Sequence, residues 1–257
     1  MSTALVTGAS SGIGEVYAER LARRGLDLLL VARSAAKLET LATRLRAETG
    51  VNVDILPADL ANPEDLAKVE ARLRHDRTID TLVNNAGIAG EGAIVDADPA
   101  YLTGMINLNI VAVTRLVAAV APRFAAQGTG TIVNLTSVTA LMPGGFTSVY
   151  PATKAFVLAF TEALQAELGA KGVRVQAVLP GITRTAIWEA EQLDTIPAEM
   201  VMDVNEMVDA ALAGLDQGEN ITIPSLPDQA AFDSFIAARD ALHPHLSRDR
   251  AAPRYRA

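Results

Sequence analysis

The chain has 257 residues, a length that one α/β domain fills without splitting, and 50% of them are hydrophobic, enough to cover both faces of a sheet with helices. A net charge of −8 and a sequence pI of about 4.9 exclude the basic footprint of a nucleic-acid binder. With no cysteine, disulfide frameworks and thiolate metal sites are excluded too, and His75, His243 and His245 lack zinc-site spacing, so no metal is expected.

Ala4-Leu5-Val6 opens the first expected strand, residues 3–7, and leads directly into Gly8 with no signal peptide before it. Further strands are expected at 26–32, 52–56, 80–84, 130–136, 173–179 and 220–223. Between them lie amphipathic segments near 13–24, 35–48, 63–75, 104–126, 151–171 and 204–216. This alternation predicts βαβ units, hence an α/β fold: a Rossmann-type doubly wound parallel sheet of about seven strands with helices on both faces. The run from Leu26 to Val31 is almost continuously apolar, as a strand covered on both sides should be. Gly25 and Gly172 stand where helices should stop. No linker or repeat interrupts the pattern, so 1–257 reads as a single domain ending in a helix and tail over 228–257, with four arginines after Ser247. The sequons at Asn134 and Asn220 read as ordinary strand residues, and no apolar run approaches membrane-spanning length. A cytosolic protein without membrane contact is expected.

Thr7-Gly8-Ala9-Ser10-Ser11-Gly12-Ile13-Gly14 joins the first strand to the first helix. Gly8 permits a tight turn, Gly12 lets backbone N–H groups approach a pyrophosphate, and Gly14 lets the helix pack closely on the sheet. Ser10 and Ser11 can add hydroxyl donors. Glycine-rich loops are common, but one between an apolar strand and an amphipathic helix points to a dinucleotide. The second strand ends Val31-Ala32-Arg33-Ser34, without the carboxylate that would accept a hydrogen bond from the ribose 2′-hydroxyl of NAD. Arg33 offers instead a fork suited to a 2′-phosphate, so NADP(H) is expected over NAD(H); the alternative is a surface arginine.

Tyr150-Pro151-Ala152-Thr153-Lys154 opens a helix and places an ammonium one turn from a phenol. A nearby cation favours phenolate, which would make the tyrosine a usable acid and base. The spacing alone also describes any helix-surface pair. Ser137 after the fifth strand, Asn84-Asn85-Ala86-Gly87 after the fourth and Pro180 to Thr185 after the sixth change the weighing. All stand at carboxyl ends of strands, where ligands of open α/β sheets bind.

Taken together, in this order, these residues resemble the short-chain dehydrogenase/reductase family in its compact single-domain branch. The likeness runs from Thr7 to about Thr185 and includes Asp59 and the thirteen-residue interval from Ser137 to Tyr150. It implies a tetrad of Asn109, Ser137, Tyr150 and Lys154. Tyr150 would exchange a proton with a carbonyl or alcohol oxygen, and Ser137 would hydrogen-bond that oxygen. Lys154 would lower the phenol pKa and hold the nicotinamide ribose. Asn109, with Asn107 as the fallback, would fix a helix distortion and a water. The cofactor set implied comprises Gly8, Ser10, Ser11, Gly12, Ile13, Gly14, Arg33, Asp59, Leu60, Asn85, Ala86, Gly87, Tyr150, Lys154, Pro180, Gly181, Ile182 and Thr185. Within it Asp59 would face the adenine amine, Asn85 the adenosine side, and Ile182 and Thr185 the carboxamide.

The same resemblance implies a substrate lid at 186–203, opening with Ala186-Ile187-Trp188. Trp188 either walls an apolar pocket or packs the lid onto the body. The other expected walls are Val138 to Phe146 and Ile88 to Gly92, mostly apolar, which favours a neutral ketone, aldehyde or secondary alcohol. A homodimer or homotetramer is implied through the helices near 104–126 and 151–171. Ala112, Val113, Leu116, Val117 and Val120 are divided between core and subunit contact in a way the pattern leaves open. A non-catalytic dinucleotide sensor is the rival reading, and loss of Tyr150 or Lys154 would be its mark.

Overall fold

The structure is a computed structural model that describes residues 2–90, 93–145, 149–185 and 195–256. In chain order its main elements are β1 (Thr3–Thr7), α1 (Gly12–Arg23), β2 (Asp27–Ala32), α2 (Ala35–Thr49), β3 (Val53–Pro57), α3 (Pro63–His75) and β4 (Ile79–Asn84). There follow α4 (Pro99–Ile106), a π-helical turn (Asn107–Ala112), α5 (Val113–Gln127), β5 (Thr131–Leu135), α6 (Val149–Leu168), β6 (Arg174–Val178), α7 (Val204–Gln217), β7 (Ile221–Thr222) and α8 (Gln229–Asp240). The strands form one parallel sheet in the order β3-β2-β1-β4-β5-β6-β7. The strand order reverses between β1 and β4, which opens a crevice at their carboxyl ends.

Strand periodicity sorts the apolar side chains between two cores. Ala4, Val6, Leu28 and Leu30 point to one, shared with α1, α2 and α7. Leu5, Leu29 and Val31 point to the other, shared with α3, α5 and α6. That is why β2 is apolar along its length.

The helix expected from residue 104 begins earlier, at Pro99, where Asp98 caps the backbone N–H of Ala100 at 2.9 Å. An Asp-Pro pair at a helix start is readable from sequence, and the apolar periodicity beyond it masked the signal. Contrary to the expectation from sequence, the stretch Pro99–Gln127 is long and apolar enough to cross a membrane. Its packing is that of a core helix. Leu116, Val117, Val120 and Phe124 are fully buried, and Arg115 is paired with the buried Glu70 of α3. Burial alone would raise the Glu70 pKa, but hydrogen bonds from Arg115 and Arg74 outweigh it and hold the carboxyl below its ordinary value. Ala112 and Val113 are buried as well, so all five side chains left open between core and subunit contact belong to the chain's interior.

Contacts divide the chain into two compact units, Met1–Pro224 and Ser225–Ala257. The second carries α8, capped by Asp228 on Ala230 N at 2.9 Å, with the Phe232 and Phe235 rings 5.9 Å apart.

Candidate active site

The crevice at the switch point is built around Thr7. Its hydroxyl oxygen accepts from the backbone N–H groups of Asn85 (2.9 Å) and Ala86 (3.0 Å) and its proton goes to Val83 O (3.2 Å). The Asn85 amide nitrogen donates to Thr7 O (2.9 Å) and Gly8 O (3.3 Å), tying the end of β4 to the glycine turn. Gly8 and Gly12 have φ of +66° and +59°, left-handed values at which side chains are strained. A Cβ on Gly14 would come within 2.5 Å of Asn85 Nδ2 and nearer still to Gly8 O.

Ser11 is the N-cap residue of α1 but makes no side-chain cap, whereas Ser34, Asn62, Asp98, Asp203 and Asp228 cap α2, α3, α4, α7 and α8. An uncapped helix start behind a glycine turn leaves N–H donors for a pyrophosphate. The turn therefore fits a dinucleotide. Thr185 packs beside the same turn, its Cβ 3.3 Å from where a Gly12 Cβ would stand.

Arg33 is exposed at the end of β2. A cavity of about 290 Å³ lies between the glycine turn and α2, lined by Ser10, Glu15, Lys37, Thr40 and Arg44, among others. Arg44 is paired with Glu15 (3.0 Å) and Glu19 (2.6 Å). Among the described residues, neither Arg33 nor Lys37 forms an ion pair. Sequence reasoning missed Lys37, although its place four residues after Arg33 at the start of α2 was there to read. Asp59 lies just beyond β3, with Oδ1 accepting from Ala61 N (3.0 Å), and Leu60 is buried.

The opposite side of the crevice holds the four tetrad residues. The Tyr150 phenol lies beside the Ser137 hydroxyl, near enough for a hydrogen bond to favour the ionised phenol. Ser137 Oγ also accepts from Thr139 N at 3.2 Å. Lys154 Nζ donates to Leu135 O (3.1 Å) and lies 5.7 Å from the Tyr150 ring centroid. Asn109 is the buried asparagine of the π-helical turn. It accepts from Ile88 N (3.0 Å) and donates to Ile88 O (2.9 Å) and Thr153 Oγ1 (3.1 Å). Asn107 makes no comparable set of bonds, so the register favours Asn109. Gly87 stands between the groups, since a Cβ there would be 3.2 Å from Asn109 Oδ1 and 3.5 Å from Lys154 Nζ.

Burial raises the Tyr150 pKa above its usual value, and the Ser137 hydrogen bond pulls the other way. The sequence-based expectation was a phenol lowered by Lys154. In the chain itself desolvation dominates, and Tyr150 is a neutral phenol at pH 7, ready to donate. Burial brings Lys154 down to about 8, so it is still mostly an ammonium at pH 7.

Pro180 O accepts from Val138 N (3.0 Å), joining the Ser137 turn to the Pro180–Thr185 loop. That loop is held by Met202, whose N–H donates to Ile182 O and whose O accepts from Arg184 N, each at 2.9 Å. Of the expected walls and lid, Glu91, Gly92, Phe146 and residues 186–194, Trp188 among them, lie outside the described residues. Deeper in, Asn84 Nδ2 donates to Asn134 Oδ1 (2.9 Å) and Asn134 Nδ2 to Thr161 Oγ1 (2.9 Å), a buried chain from β4 to α6.

The short chain dehydrogenase family model matches residues 2–195. A short-chain dehydrogenase from Sphingobium yanoikuyae, solved in complex with NADPH, is similar with a TM-score of 0.96 and 51% identity over 100% of both chains. The bulky-bulky ketone specific alcohol dehydrogenase from Comamonas testosteroni has a TM-score of 0.93 at 48% identity, over 99% of this chain and 98% of that one. The very-long-chain 3-oxoacyl-CoA reductase-A of Danio rerio is 37% identical over 187 residues, 71% of this chain and 58% of its own length. The chain thus spans less than two thirds of that relative. Fold, site and matches define an oxidoreductase of the CH–OH/C=O class that uses NAD(P). The chain belongs to the short-chain dehydrogenase/reductase family.

Proposed function

We propose that the chain is an NADP(H)-dependent oxidoreductase interconverting a bulky apolar ketone and its secondary alcohol, with Tyr150 as general acid and base. The observation that carries the chemistry is the buried cluster in which the phenol meets Ser137 above Lys154. In reduction Tyr150 donates its proton to the carbonyl oxygen, and in oxidation it takes one from the alcohol. Ser137, whose oxygen already accepts from Thr139 N, keeps its own proton to hydrogen-bond the reacting oxygen. Lys154 would hold the nicotinamide ribose hydroxyls, and Asn109 fixes the π-helical turn behind it. The nicotinamide, when bound, supplies or accepts the hydride. Gly8 to Gly14 would hold the pyrophosphate and Arg33 with Lys37 the 2′-phosphate, a preference also supported by the NADPH complex of the Sphingobium yanoikuyae relative.

The substrate class rests on the exposed apolar side chains Val95, Met142 and Met200. They emerge from loops that follow the carboxyl ends of β4, β5 and β6. A bulky-ketone preference in the Comamonas testosteroni relative agrees with such a rim. Exposed Ile106, Val111 and Phe156 on the α4–α5 and α6 segments support assembly as a homodimer or homotetramer.

The test is kcat/KM with NADPH across ketones of increasing size on both sides of the carbonyl. Rising efficiency with bulk supports the reading; a preference for acetone-sized substrates overturns the substrate class.

A further inference from the structure

The helical turn that carries Tyr150 and Lys154 is held by two buried threonines outside the tetrad. Thr153 Oγ1 donates to Tyr150 O at 2.8 Å and accepts from Asn109 Nδ2 at 3.1 Å. Thr136, the last residue before Ser137, donates through Oγ1 to Lys154 O at 2.7 Å. Both side chains are almost fully buried, so water is no substitute partner for these groups.

Many helical threonines bond back to a carbonyl three or four residues earlier. Thr161, Thr114 and Thr103 do so here, to Val157, Ile110 and Pro99. Thr153, like Thr161 with Asn134, is bonded on both sides of its hydroxyl, but the carbonyl it takes is that of Tyr150 itself. Its one proton goes to the Tyr150 carbonyl, while its oxygen accepts from an asparagine on another element. Asn109 in turn clamps both polar atoms of the Ile88 peptide. A continuous line of hydrogen bonds thus runs from the loop after β4, through the π-helical turn, to the backbone of the acid/base residue. Thr136 anchors the other end of the same turn to β5.

We propose that Thr153, backed by Thr136, is a positioning residue for the reaction. It sets the register of the first turn of α6 so that the phenol meets Ser137 while Lys154 lies beneath it. The inference rests on Tyr150 being the acid/base residue. Misplacing a reacting group by 1 Å can cost roughly 100-fold in rate. Releasing one of two anchors, with the helix still in place, is expected to lower kcat about tenfold.

The variants are Thr153→Val, which keeps the shape and removes the hydroxyl, and Thr153→Ser, which restores it. Ketone reduction with NADPH is followed across pH, beside a Tyr150→Phe control. The expected result is a kcat about tenfold down in Thr153→Val with KM changed less than kcat, a shifted pH profile, and near wild-type values in Thr153→Ser. A second readout needs no turnover. Ultraviolet titration of the chain alone, with Tyr150→Phe subtracted, should show the phenol ionising at lower pH in Thr153→Val, because a loosened turn lets water reach it. Wild-type kcat and an unmoved phenol titration in Thr153→Val would overturn the proposal, as would equal damage from Thr153→Ser. If Thr153→Val does not fold, Thr136→Val against Thr136→Ser tests the same line with the same expected signs. An active Tyr150→Phe enzyme would instead remove the acid/base reading itself.

Discussion

Replacing Gly14 by alanine sets two physical effects against each other. On helix propensity alone, alanine in α1 should stabilise by about 1 kcal/mol. Packing opposes it, since the new Cβ would stand 2.5 Å from Asn85 Nδ2 and closer to Gly8 O. Overpacking of this kind costs roughly 1–3 kcal/mol. Moving Asn85 aside also breaks its bonds to Thr7 O and Gly8 O, each contributing about 1 kcal/mol. The balance is a loss of about 2–4 kcal/mol, or roughly 4–16 °C in Tm for a chain of this size. Differential scanning fluorimetry with and without NADPH is the assay. The bare protein should melt lower, and the rise produced by NADPH should shrink, because the displaced groups shape the pyrophosphate turn. Gly104→Ala is the control: it lies in α4 with nothing within 4 Å of the added Cβ, and a small stabilisation is expected. A Gly14→Ala protein melting at or above wild type with an undiminished NADPH response would refute the packing argument.

Arg33→Ala and Lys37→Ala should each raise KM for NADPH several-fold and leave NADH nearly unaffected; equal effects on both cofactors would remove these residues from phosphate recognition. Tyr17 is fully buried with no hydrogen-bond partner for its hydroxyl. Urea unfolding of Tyr17→Phe should therefore show unchanged or slightly higher stability, and a loss above about 1 kcal/mol would contradict that. Lys154 has a folded pKa of about 8 against 10.5 for the free group. Between those values the unfolded chain binds more protons, so this group adds stability as pH rises through that window. Wild type should gain on Lys154→Met from pH 7 to 10, and parallel curves would refute the burial argument.

The strands and the crevice at their carboxyl ends were legible because a parallel sheet writes itself as apolar runs separated by helical periods. Gly8, Asn85 and Ser137 were expected just beyond the carboxyl ends of strands, and they stand there after β1, β4 and β5. Other features had no signal at that level. The π-helical turn around Asn109 does not disturb the apolar pattern enough to announce itself, and only its buried hydrogen bonds distinguish Asn109 from Asn107. Thr153 reads as a spacer between Tyr150 and Lys154 until the Asn109 amide is found on its hydroxyl. For Ala112, Leu116 and Val120, apolar character is the same whether the face meets the sheet or a second subunit, so burial had to decide. The phenol pKa was misjudged for a related reason, since spacing reveals the nearby lysine and says nothing of the desolvation that outweighs it.

The most direct test is oxidation of NADPH and of NADH by a bulky aryl ketone, wild type beside Tyr150→Phe. The account predicts turnover that is faster with NADPH and lost in the variant. Undiminished turnover by Tyr150→Phe, or no cofactor binding by the wild type, would contradict it.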